Sequence, residues 1–241
     1  MEFTIQELQI AGLCCRLYLP MAYHENEDRY PTIYVNGDIP IEEILTELVK
    51  IGVRTEFLLL SIKPESWNDD FTPWVVPAFQ TGEEAPQGRA DAYLSCLTEK
   101  IKPYIDAHYR TKPEAAHTAL FGYSLGGLTA VYAMYKTDVF GAFASLSGSL
   151  WFDGFCAFME RGKPLRTDLR VYLSLGKKEK QSKNPRMARV AECTERVKDI
   201  LLEQLEDKED IYFEWNEGGH FHDIEGRFAK AIAWWAESGR A

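Results

Sequence analysis

From Pro31 onward, short apolar runs bounded by turn residues alternate with amphipathic helical patterns, and this alternation confines the chain to a sheet of parallel strands joined by crossover helices. The runs that read as strands are TIYV at Thr32, EFLLLSI at Glu56, TALF at Thr118, AFASLS at Ala142, RVYLSL at Arg170 and IYFEW at Ile211. Near-continuous apolar character is what a strand covered on both faces requires. Helices are predicted between them over residues 41–50, 89–108 and 125–136. In the second, Leu94, Leu97, Ile101 and Ile105 share a face, and Pro103 should kink it. Asn184 can cap a long helix that runs to Leu205, with Pro185 in its first position and Met187, Val190, Val197 and Leu201 as its apolar stripe. A last helix over residues 223–236 puts Ile224, Phe228, Ile232 and Trp235 on one side.

Ahead of Pro31 the pattern is different. Phe3–Ile10 and residues 13–19 flank an Ala11, Gly12 turn and read as an antiparallel hairpin. The expected class is therefore α/β, with a mostly parallel central sheet, an antiparallel N-terminal hairpin and helices on both faces. With 241 residues, 46% of them hydrophobic, the chain can bury one sizeable core, and a single domain over residues 1–241 is expected. The longest irregular stretch, residues 63–87, carries Trp67, Phe71, Trp74 and Phe79, which argue for an ordered functional loop.

Charge narrows the partners. A formal net charge of -10, spread along the chain, repels phosphate backbones and anionic lipid, so neither nucleic acid nor a membrane is expected. The N-terminal MEFTIQELQI lacks a basic segment followed by an apolar run, and no stretch approaches the roughly 18 apolar residues of a membrane span. A cytoplasmic protein is the expectation. Five cysteines, Cys14, Cys15, Cys96, Cys156 and Cys193, show no CxxC spacing, which suits reduced thiols better than a disulfide framework or a zinc site.

The motif with chemical content is FGYSLGG, in which Gly122, Ser124 and Gly126 form GxSxG directly after a predicted strand and before a predicted helix. A sharp strand-to-helix turn presents the serine hydroxyl at a helix N-terminus, where unbonded N–H groups favour negative charge. For a serine on such a turn, an acid and then a histidine follow in chain order. His24, His108 and His117 precede Ser124, leaving His220 and His222. His220 is preferred because Gly218 and Gly219 give its loop freedom, whereas His222 stands where the last helix begins. Glu179, three residues beyond Gly176 at a strand end, is the leading acid, with a solvated charge in the polar run KKEKQSK as the competing reading. Asp153 is the alternative. For an oxyanion hole, the Leu125 N–H is one donor, and the bend after TIYV offers Asp38 first and Gly37 next.

The segments FTPW at Phe71, KPYIDAHYRT at Lys102, FGYSLGG at Phe121, SLSGSLWF at Ser145, LGKKE at Leu175 and NEGGHF at Asn216 carry a resemblance. Together they resemble the serine esterases of the α/β-hydrolase fold that include esterase D and the enterochelin-type siderophore esterases. The resemblance implies a carboxylic esterase acting on a small-molecule ester, with Ser124 as nucleophile, His220 as base and Glu179 as acid, and without metal or organic cofactor. It also implies that Ser149 and Trp151 lie near the acyl or aromatic-ester pocket, while the aromatic loop itself suggests Trp74 as a further wall. Sparse positive charge argues against a large anionic iron chelate as substrate. The same constellation could serve acyl transfer or thioester cleavage, and the fold could also persist as a non-catalytic binding protein.

Overall fold

The computed structural model describes residues 2–237. Its centre is an eight-stranded sheet: β1 (Phe3–Ile10), β2 (Leu13–Pro20), β3 (Thr32–Asn36), β4 (Leu58–Ile62), β5 (Thr118–Tyr123), β6 (Ala142–Leu146), β7 (Arg170–Gly176) and β8 (Ile211–Asn216). The spatial order is β1-β2-β4-β3-β5-β6-β7-β8. The hairpin β1–β2 joins β4 antiparallel, and every pairing from β4 to β8 is parallel. After β3 the chain moves outward to β4 and returns to β5 on β3's other side. That reversal opens a crevice beyond the carboxyl ends of β3 and β5, where open α/β sheets bind ligands.

The helices are α1 (Ile41–Ile51), α2 (Trp67–Asp70), α3 (Ala90–Cys96), α4 (Lys102–His108), α5 (Leu125–Ala133), α6 (Phe155–Arg161), α7 (Val190–Gln204) and α8 (Ile224–Ala236). Successive strand residues point to opposite faces, so each strand feeds two cores. Ile33, Val35, Leu59, Phe121 and Ala144 pack under α1 and α8, while Tyr34, Leu60, Leu120, Phe143 and Leu173 pack under α3 to α7. Helices on both faces, as expected, follow from that alternation.

Three departures from the sequence-based expectations have physical causes. Around Pro103, where a kink is expected, the helix changes its hydrogen-bonding pattern instead of running as one regular α-helix. A π turn over Leu97–Ile101 joins α3 to α4, opening the backbone just ahead of the ring that supplies no N–H. The long helix starts at Val190 rather than beside Asn184, whose side chain instead caps a local turn through the Arg186 and Met187 N–H groups and donates to the Phe79 carbonyl at 2.7 Å. Helix α6 was not foreseen, although the i, i+3, i+4 spacing of Phe155, Phe158 and Met159 is its signal.

Helix α8 is anchored through Trp235, fully buried with its ring edge-on to Phe57 and to Phe121 at 6.4 Å each. Trp235→Ala is expected to cost about 3–5 kcal/mol of folding stability, measured as a lowered urea midpoint at unchanged slope. A loss below about 1 kcal/mol would show that this ring does not hold α8 to the sheet.

Candidate active site

Strand β5 ends at Tyr123 and α5 begins at Leu125, so Ser124 alone makes the turn. It does so at φ 54 and ψ -120, a conformation that costs a non-glycine residue on the order of 1–3 kcal/mol and persists only where the surroundings impose it. They do so here. The Ser124 N–H donates to the Leu146 carbonyl of β6 at 3.0 Å, and the Ser124 carbonyl accepts from the Leu128 N–H at 3.0 Å and the Ser149 N–H at 2.9 Å. Gly122 is required because a Cβ there would lie 2.2 Å from the Gly126 carbonyl. The fully buried Asn36 at the end of β3 holds the head of α5 by donating to the Gly126 carbonyl at 3.0 Å, and accepts from the Tyr93 hydroxyl at 2.8 Å.

His220 Nε2 lies 3.0 Å from Ser124 Oγ, and His220 Nδ1 lies 2.9 Å from Glu179 Oε2. The residues follow the carboxyl ends of β5, β7 and β8, far apart in the chain but brought together at that end of the sheet. Glu179 is buried, and its other oxygen, Oε1, accepts from the Ser147 hydroxyl at 2.6 Å, the Gly176 N–H at 2.7 Å and Arg227 Nη1 at 3.2 Å. Burial alone would push this carboxyl up, but the hydrogen bonds from His220, Ser147 and the Gly176 N–H outweigh it and hold it below the usual glutamate range. The run KKEKQSK is therefore not uniformly a solvated face, because Glu179 turns inward from it.

The alternatives to these residues lie elsewhere. Asp153 pairs with Arg186 at 2.7 Å, and His222 is exposed, its N–H closing a turn on the Gly219 carbonyl at 3.1 Å. Leu125 occupies the first position of α5, where an N–H has no partner within the helix. The Gly37 N–H is committed to the Ile62 carbonyl of β4 at 2.9 Å, which removes it as an oxyanion donor. The carboxylate of Asp38 is exposed and faces Lys63 at 3.9 Å, so only its main chain could serve the site.

A cleft of about 460 Å³ opens over Ser124 and His220. Ser149 and Trp151 line it, together with Trp67, Phe79 and Phe221. Ser149 Oγ stands 3.3 Å from Ser124 Oγ, and the Trp151 ring meets Phe79 edge-on at 5.4 Å. Trp74 is the correction. It is outside this lining, packed among Tyr132, Phe152 and Phe158, with its indole N–H donated to the Asp153 carbonyl at 3.0 Å. An aromatic in a long loop is as readily a packing anchor as a ligand wall, and sequence position does not separate the two. Arg227, Ser147 and Asn36 were not foreseen. The one signal for Arg227 was a charged residue at the position before Phe228 on the inward face of the last helix. Among the described residues no group of three or more His, Cys, Asp or Glu side chains gathers as a metal site.

Comparison with known proteins bears on the family and the fold. The model of the family described as Putative esterase matches residues 13–226. The Uncharacterized protein YbbA of Bacillus subtilis is 26% identical over 241 residues, covering 97% of this chain and 96% of that protein. The Siderophore enterobactin esterase of Emericella nidulans is 31% identical over 91 residues, which is 35% of this chain and 30% of that protein. An IroE-like serine hydrolase from Shewanella oneidensis superposes with a TM-score of 0.78 at 17% identity, over 97% of this chain and 79% of that one, and so shares the α/β-hydrolase fold. The chain belongs to the Putative esterase family and is a carboxylic ester hydrolase.

Proposed function

We propose that the chain cleaves a small-molecule carboxylic ester through an acyl-enzyme on Ser124. The observation that carries this reading is the unbroken hydrogen-bond relay from Ser124 through His220 to Glu179 at the head of α5. In the reaction, His220 Nε2 takes the Ser124 proton as Oγ attacks the carbonyl carbon, then returns it to the departing alkoxide. Glu179 keeps the proton on Nδ1, so that Nε2 faces the serine, and stabilises the imidazolium that forms. Negative charge on the carbonyl oxygen develops in front of the Leu125 N–H, with the Asp38 N–H as the second donor. Water, deprotonated by the same imidazole, attacks the acyl-enzyme and releases the acid.

The cleft supports a compact substrate with an apolar or aromatic acyl group, since Trp67, Phe79, Trp151 and Phe221 line it together with Leu125, Met187 and Val190. Ser149, beside the nucleophile, is the polar group positioned to meet the ester. The five cysteines are free thiols and, among the described residues, no helix is long and apolar enough to cross a membrane; both features support the cytoplasmic location that this reading includes. The charge of -10 likewise supports a small molecule rather than a nucleic acid as partner.

Ser124→Ala is expected to abolish labelling by a fluorophosphonate probe and to lower hydrolysis of p-nitrophenyl acetate by about 10⁴-fold or more. Undiminished labelling of that variant would refute the assignment of the nucleophile. Glu179→Gln should keep the shape of the site but lose about 10²- to 10⁴-fold in turnover, because the amide no longer enforces the imidazole tautomer; an activity within twofold of wild type would remove Glu179 from the mechanism.

Stability gives an independent readout of the same carboxylate. Its folded pKa lies below the ordinary glutamate value of 4.5, so its charged form stabilises the fold above that value, and the contribution is lost as pH falls through the lower folded value. Wild type is therefore expected to be more stable than Glu179→Gln near neutrality, with the gap in urea midpoint narrowing below pH 4.5. A gap independent of pH would mean that the site does not favour the carboxylate.

A further inference from the structure

Behind Glu179 lies a fully buried arginine. Arg227, on the first turn of α8, reaches beneath the ends of β7 and β8, and its guanidinium contacts both loops that carry the relay. Toward the acid, Nη1 donates to Glu179 Oε1 at 3.2 Å, to the Ser147 hydroxyl, which itself donates to that oxygen, and to the Tyr123 hydroxyl at 3.4 Å. Toward the histidine loop, Nη2 donates to the Gly219 carbonyl at 2.9 Å and to the Glu217 carbonyl at 3.4 Å.

We propose that Arg227 is a positioning residue for hydrolysis: its planar fork sets the distance between the Glu179 carboxylate and the His220 imidazole by binding the loops of both. The inference rests on the roles proposed for Ser124, His220 and Glu179. Packing alone does not account for an arginine here. A buried guanidinium is costly unless paired and hydrogen-bonded, and an apolar side chain of similar volume would fill the space at no such cost. A lysine would not replace it either, since an ammonium is a point charge, whereas donors to two loops at once need the fixed geometry of a fork.

The surrounding structure is arranged around this contact. Gly176, the last residue of β7, leaves room for it, since a Cβ there would lie 2.8 Å from Arg227 Nη2 and 2.9 Å from Glu179 Oε1. Ser147, held at φ 45, turns its hydroxyl into the gap between guanidinium and carboxylate. The histidine loop has further ties of its own: the Lys178 N–H donates to the Gly218 carbonyl at 2.9 Å, the Lys177 ammonium pairs with Glu217, and the Tyr123 hydroxyl donates to the His220 carbonyl. Without Arg227 these ties would keep the loop attached, but none of them reaches the Glu179 carboxylate, so its register against that group would loosen. Misplacement of about 1 Å in a catalytic constellation can cost about 10²-fold in rate.

The test compares Arg227→Lys and Arg227→Met with wild type by steady-state kinetics on p-nitrophenyl acetate, fluorophosphonate labelling rate, thermal melting and the downfield proton resonance of His220 Nδ1–H. For Arg227→Lys, which keeps the charge, kcat is expected to fall roughly 10- to 100-fold with KM within about threefold, and the downfield resonance to shift or broaden. The methionine variant should behave the same way or worse. If it does not fold, the lysine variant decides alone. The proposal is overturned if folded Arg227→Lys keeps kcat within twofold and an unchanged imidazole resonance, or if its kcat loss is matched by a loss of folded protein. Wild type that neither labels nor hydrolyses would overturn the esterase mechanism and this inference with it, whereas equal labelling of wild type and Arg227→Lys would overturn the inference alone.

Discussion

The close approach of α5 to β5 is the constraint from which the rest of the site follows. Because the main chain of Gly122 touches that of Gly126, the turn between strand and helix shrinks to one residue, and that residue must adopt a conformation L side chains avoid. The strain at Ser124 is tolerated because β5 lies between β3 and β6, with every residue buried, and because Asn36 ties the head of the helix to the neighbouring strand. A looser turn would satisfy the backbone better but would sink the hydroxyl and turn the Leu125 N–H away from it. Local discomfort at one serine thus defines where the proposed nucleophile and the proposed oxyanion donor face the same point in space.

Much of the fold was legible because the strands are buried on both faces and carry an unbroken apolar signature. β3, β5, β6, β7 and β8 each coincide with a run that stands out from its turn-rich flanks, and the hairpin declares itself by alternation. What the pattern could not carry was the influence of distant contacts. Asn184 has the chemistry of a helix cap, yet the Phe79 carbonyl and a local turn claim its side chain, and the helix starts later. The π turn ahead of Pro103 is likewise a compromise that local propensity does not express.

The site divides in the same way. Ser124, His220 and Glu179 could be picked out because chain order and strand ends restrict the choice so severely, and the structure brings their side chains into one relay. The second tier could not. Arg227 has no motif of its own, and Ser147, although it lies within SLSGSLWF, carries no separate signal there; their contacts depend on where α8 and the turn after β6 are packed, which is a property of the assembled core. Trp74 shows the converse error, an aromatic in a promising loop that the interior claimed for packing. Gly37 fails for a still smaller reason, a single N–H already committed to the next strand.

The wall of the cleft has a mechanical consequence. Phe79 is not an independent flap: Asn184 donates to its carbonyl, and Arg186 donates to those of Pro77 at 3.0 Å and Ala78 at 2.9 Å, so this part of the loop is stitched to the segment that follows Glu179. Prying the wall outward to admit a bulkier acyl group would pull on the same stitches and drag the carboxylate's own loop. In the proposed mechanism, a guest too large for the cleft would therefore meet resistance from the hydrogen bonds that lead back toward the loop of Glu179.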